Sequence, residues 1–233
     1  MKKTLIALMA LAGVASAALT KDSTLTGITD TANNSYSWTT DTSNAAITLI
    51  LSDSAFNESE GFGAFVLTDG KLNDTNINYV AVQHKTDGGG FQIADTNIGT
   101  AWGENLMGTP IAESAMSGAA WSAAKYAALT FAINSQGETY TLLSVIDSAG
   151  TITNIGAASI GTNVSFTGIS GIRLNKHSAV SEAYIYSGSW TTTDLATVTS
   201  NVLSAKVPAI PEPATATLSL LALAGLAARR RRK

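Results

Sequence analysis

ALTFAINSQGETYTLLSVIDSAGTITNI, residues 128–155, contains three short β-type runs separated by two turn sequences. Ala128–Ile133 (ALTFAI), Thr139–Ile146 (TYTLLSVI) and Thr151–Ile155 (TITNI) are rich in β-branched, aromatic and aliphatic residues, which suit a pleated, half-buried surface. Asn134–Glu138 (NSQGE) and Asp147–Gly150 (DSAG) supply the Asx, Ser and Gly residues that fold back on their own backbone in hairpin loops. The spacing predicts a three-strand antiparallel meander.

The same punctuation continues on both sides. Ser35–Thr39 (SYSWT), Ala45–Ser52 (AAITLILS), Gly63–Thr68 (GAFVLT) and Ile77–Gln83 (INYVAVQ) read as strands, as do Gly171–Leu174 and Glu182–Tyr186 (EAYIY) further on. Asp, Asn, Ser and Gly clusters bound them, so the fold class is all-β, an antiparallel β-sandwich. Two stretches depart from the pattern. Residues 109–125 (TPIAESAMSGAAWSAAK) read as a long loop or short helix, and Thr191–Val198 (TTTDLATV) as a short closing helix with Thr192 or Thr193 as N-cap and Asp194 in its first turn. The domain is expected over residues 18–200 and a linker over 201–210. With no cysteine in the chain, disulfides and thiol chemistry are excluded, and roughly 185 residues suffice for one packed core.

The first residues have the order of a secretory leader. Lys2 and Lys3 precede an apolar stretch, Leu5–Val14, and an A-x-A site, Ala15-Ser16-Ala17, so cleavage after Ala17 and a mature chain from Ala18 are expected. A membrane anchor here would need about 20 apolar residues. Of the 14 basic residues, two lie in this leader and five at positions 229–233, leaving seven against 17 acidic residues and a net charge of −10 between Ala18 and Ala228. Such a surface repels nucleic acid and anionic lipid.

Pro211-Glu212-Pro213 is followed by Ala214–Ala228 (ATATLSLLALAGLAA), 15 uncharged residues, and then by Arg229, Arg230, Arg231, Arg232 and Lys233. As a helix the apolar run would be about 22 Å long, shorter than a hydrocarbon core of about 30 Å. Five cations resist translocation, so the segment suits a transient membrane stop. The prolines keep the backbone before it extended. This arrangement resembles the PEP-CTERM sorting signal of Gram-negative bacteria. The resemblance implies recognition by an exosortase, an integral-membrane enzyme resembling cysteine proteases, and release toward the cell surface or an extracellular matrix. The alternative is a tail that stays uncut as a permanent membrane anchor.

The turn at Ser135–Glu138 and the run EAYIYSGSWTTTDLATV at 182–198 resemble the concanavalin A-like or laminin-G-like jelly roll, with Glu182, Tyr184, Tyr186 and Asp194 in the positions of its closing strand and helix start. The resemblance implies a jelly-roll sandwich, to which the ends would add a signal helix and a short membrane helix. Hydrolases of that fold carry an E-x-D-x-x-E strand whose carboxylates lie about 5–5.5 Å apart. The nearest match, Glu58-Ser59-Glu60-Gly61-Phe62-Gly63, has Glu for Asp and lacks the final acid. No catalytic residue is therefore assigned. The domain is read as a non-enzymatic, lectin-like binding module or structural matrix component, with a divergent glycoside hydrolase as the alternative.

In a chain without cysteine, core is the preferred reading for the large aromatics Trp38, Trp102, Trp121 and Trp190; Trp102 and Trp121 fall in irregular segments where exposed rings could stack on sugars, and they are the candidate glycan-binding residues if such a site exists. His84 and His177 have no partner at zinc-site spacing. Asp69, Asn73, Asp74 and Asn76 gather oxygen ligands that Ca2+ could use, but not in EF-hand order, and a solvated turn is the preferred reading. Gly88-Gly89-Gly90 reads as a flexible turn, and no other cofactor is expected.

Overall fold

The computed structural model describes residues 19–28, 35–51, 63–67, 79–85, 90–96, 105–160, 168–175 and 180–207. In chain order the strands are β1 (Thr20–Thr26), β2 (Ser35–Thr42), β3 (Ala45–Leu51), β4 (Gly63–Leu67), β5 (Tyr79–Lys85) and β6 (Gly90–Thr96). Then come β7 (Asn105–Ile111), β8 (Ala124–Ile133), β9 (Thr139–Asp147), β10 (Ile152–Ile160), β11 (Ile169–Asn175) and β12 (Val180–Ser187). A 3-10 turn (Glu113–Ser117) and helix α1 (Ala119–Ser122) follow β7, and helix α2 (Thr192–Lys206) follows β12. The strands form two six-stranded antiparallel sheets, β1-β12-β3-β8-β9-β10 and β2-β11-β4-β5-β6-β7. Late strands lie between early ones, β12 between β1 and β3 and β11 between β2 and β4, which is the nested order of a jelly roll.

The meander 128–155 is present as β8-β9-β10, and its two loops solve the same problem in the same way. Asn134 Oδ1 accepts the backbone N–H groups of Gln136 and Glu138, each at 3.0 Å. Asp147 Oδ1 accepts those of Ala149 at 2.9 Å and Thr151 at 2.8 Å. Gly137 and Gly150 stand at the fourth position of each loop with φ of 76° and 86°, a left-handed conformation that favours glycine. Both sequences thus share an Asx-Ser-x-Gly pattern that sets the register of the flanking strands.

Between the sheets, Ile47, Leu49 and Leu51 of β3, Leu129, Phe131 and Ile133 of β8, and Leu143 and Val145 of β9 belong to one core. Val80, Val82, Phe91, Ile111, Ile172 and Leu174 of the second sheet complete it. On the opposite face of the first sheet lies α2. Every residue of β3 is buried, which is why AAITLIL shows no polar alternation. Size alternates instead. The cross-strand pairs under the helix are Ala46–Ala132, Thr48–Thr130 and Ile50–Ala128, and they leave a shallow seat. Leu195, Thr199, Val202 and Leu203, at helical spacing, fill it. A buried hydroxyl ladder joins the layers, with Thr48 Oγ1 and Thr130 Oγ1 2.8 Å apart and Thr130 Oγ1 and Thr199 Oγ1 2.6 Å apart; Thr199 also donates to the Leu195 carbonyl.

Three expectations are corrected here. The N-cap of α2 is Thr191, because Asp194 then stands at the third helical position and closes a reciprocal capping box: Asp194 N–H to Thr191 Oγ1 at 3.2 Å, Thr191 N–H to Asp194 Oδ2 at 2.8 Å. The helix does not stop near Val198 and yield to a linker at 201; burial of Val202 and Leu203 carries it to Lys206. Gly90 opens β6, opposite Lys85, and so belongs to a strand rather than a turn.

Candidate functional site: the end of the closing helix and the tail beyond it

β12 presents Glu182, Tyr184 and Tyr186 at alternate positions, and the residues that carried the jelly-roll resemblance serve here to receive α2. Tyr186 is buried beside Leu195, Ala46 and Ala132. Burial, followed by the neighbouring Tyr184, pushes its pKa up to about 12. Tyr184 Oη donates to Glu182 Oε2 at 2.6 Å, and Lys206, in the last turn of the helix, pairs with Glu182 Oε1. The Lys206 Nζ lies 5.9 Å from the centre of the Tyr184 ring, and that of Lys21 lies 6.0 Å away. Burial works against the Glu182 carboxylate, but hydrogen bonds from Lys206 and Tyr184 and the Lys206 charge outweigh it, holding its pKa below the ordinary value. For Lys206 burial is likewise outweighed, mainly by the Glu182 hydrogen bond, and its pKa is raised. A cation in the last turn also suits the negative end of the helix dipole.

Val207, the C-cap, packs on the cluster of Ile50, Ala128, Ile146, Val202 and Leu203. The chain is thus fixed by side-chain contacts up to the residue before Pro208. This clamp was not read from the sequence. The continued spacing of Leu195, Thr199, Val202 and Leu203 was the signal that the helix extends this far.

Trp121 is 7% exposed and belongs to the core. Trp38 packs against the core edge, its ring perpendicular to that of Tyr36 at 5.1 Å, and its Nε1 donates to Asp22 Oδ2 at 3.1 Å, linking the edge strands β2 and β1. Trp190 Nε1 donates to the Ile133 carbonyl at 3.0 Å. His84 lies on β5. Trp102, Glu58, Glu60, Asp69, Asn73, Asp74, Asn76, His177, the leader residues Ala15 and Ala17, and the tail residues Pro211, Glu212, Pro213, Arg229, Arg230, Arg231, Arg232 and Lys233 lie outside the described residues. Among the described residues no three acidic or histidine groups converge as a metal site, and no helix is long and apolar enough to cross a membrane.

No curated protein sequence matches the chain. Solved structures similar to it include a fructofuranosidase from Schwanniomyces occidentalis complexed with fructose, at 8% identity and a TM-score of 0.38 over 72% of this chain and 34% of that one. A GH43 glycoside hydrolase gives 13% identity and a TM-score of 0.32 over the same shares. A Shewanella oneidensis MR-1 protein of unknown function gives 10% identity and a TM-score of 0.30, over 73% of this chain and 75% of that one. The chain spans about a third of the length of the two enzymes, and at these scores the likenesses carry no argument about activity. The tail is a different matter: residues 209–233 match the PEP-CTERM protein-sorting motif, and the chain carries that sorting signal immediately beyond the end of α2.

Proposed function

We propose that this chain is an exported protein whose β-sandwich is delivered to the cell surface or extracellular matrix by its PEP-CTERM tail, cut by an exosortase-type enzyme, and acts there as a non-enzymatic binding or structural module. The observation that carries the reading is the sorting motif at residues 209–233, placed directly after a capped and packed helix. Its 15-residue apolar run is short for a lasting anchor, and the five cations after it favour a transient stop. The net charge of −10 between Ala18 and Ala228 favours a soluble domain that stays away from anionic lipid once freed.

Intact-mass analysis and C-terminal sequencing of the protein recovered from the envelope and the medium test the sorting. The expected product starts near Ala18 and has lost the basic cluster; a chain still ending at Lys233 would overturn release. Incubation of the purified domain with a panel of polysaccharides tests the module. Binding without cleavage, or neither, agrees with the proposal. Hydrolysis abolished by Glu58→Gln or Glu60→Gln would replace it with a glycosidase.

A further inference from the structure

Tertiary contacts hold the chain as far as Val207, whose side chain packs against the cluster of Ile50, Ala128, Ile146, Val202 and Leu203, while the preceding Lys206 is paired with Glu182. Only Pro208, Ala209 and Ile210 stand between Val207 and Pro211. Four peptide steps span at most about 14 Å, so the tripeptide cannot move further than that from the folded surface while the helix end stays seated. Peptides are commonly bound in extended form, each residue in its own subsite. An enzyme that engages more than about four residues ahead of the tripeptide would have to draw them out of α2.

We infer that the last turn of α2, latched by the Lys206–Glu182 pair and seated by Val207, limits the rate at which the sorting tail is cut, so that processing is coupled to local unwinding of residues 203–207. The inference rests on the proposed exosortase-type cleavage. Helix ends open at far lower cost than whole domains, and the latch supplies part of that cost. Lys206 and Glu182 are 19% and 26% exposed, so the pair is partly screened and its loss changes the open population by a small factor. The Lys206–Glu182 pair stands on the helix-facing side of the first sheet, apart from the larger core between the two sheets.

The test compares the full-length chain with Lys206→Met, Lys206→Arg and a chain with eight Gly-Ser residues inserted between Val207 and Pro208, in cells that process the native protein. Time-resolved intact mass gives the cleavage rate, and amide exchange of the purified chains gives the opening of residues 203–207. Lys206→Met should raise exchange there and speed cleavage by roughly two- to fivefold. Lys206→Arg should leave both unchanged. The insertion should speed cleavage and make it indifferent to Lys206→Met. Equal cleavage rates in all four chains, despite raised exchange in Lys206→Met, would overturn the inference while leaving tail processing intact. Slower cleavage after insertion would also overturn it. A native chain that is never cut would remove the proposed processing itself, and the inference with it.

Discussion

The two faces of the first sheet are built from the same strands and yet follow different rules. On the inner face β3 and β8 place large aliphatic and aromatic side chains, Ile47, Leu49, Leu51, Leu129, Phe131 and Ile133, against the second sheet. On the outer face the same strands place Ala46, Thr48, Ala128, Thr130 and Ala132, small groups that let a helix approach, beside the larger Ile50. The inner face gains its stability from volume, the outer face from fit and from a few polar links. Hydrophobicity therefore does not separate the two faces, and residue size does so at most positions, with Ala45 and Ala127 inside and Ile50 outside as the exceptions.

Substitutions can break this contrast in order of size. Phe131→Ala, which empties the inner core, should cost about 3–5 kcal/mol in urea unfolding. If it costs no more than an outer-face change, the two faces are not distinct. Ala132→Leu adds volume beneath Leu195 and should cost about 1–3 kcal/mol, with altered Trp190 fluorescence as the helix is displaced; a neutral result would mean that the seat has room to spare. Thr130→Val removes the middle of the hydroxyl ladder, leaves Thr48 Oγ1 without its partner and should cost about 1–2 kcal/mol, whereas replacing Thr48 and Thr130 together by Val should restore part of that loss. Thr191→Ala opens the capping box and should cost about 1 kcal/mol.

The smallest effect is the pH-dependent one. The pKa of Glu182 is lowered in the folded chain, so its contribution is present above its ordinary value of 4.5 and is lost as pH falls through the depressed value. That of Lys206 is raised, so its contribution is present below 10.5 and is lost as pH rises through the raised value. Glu182→Gln should lower stability by less than about 1 kcal/mol at pH 7 and flatten the acid limb of the stability curve. An unchanged acid limb would show that the pair contributes nothing measurable.

Much of the sandwich was legible because its strands are bounded by residues with local reasons to turn. Asn134 and Asp147 bond their own loops, and Gly137 and Gly150 supply the left-handed backbone, so the meander needed no distant contact to be read. β1 (TKDSTLT) escaped because it is an edge strand, largely exposed at its start and, among the described residues, paired with β12 alone. The burial of Trp121 follows the general preference of large aromatics for the core, although its Ala- and Ser-rich segment gives no sign of which way the ring points.

The sequence by itself determined the address, because a sorting motif is read as a linear string and its tripeptide, apolar run and cations act in order along the chain. It also determined the meander, whose turns are local. Only the tertiary structure decided where α2 ends and what holds that end, because Glu182, Tyr184 and Lys206 meet across two elements and Thr48, Thr130 and Thr199 across three. Contacts between residues so far apart in the chain depend on how both sheets and the helix pack, and no periodicity along the sequence records them.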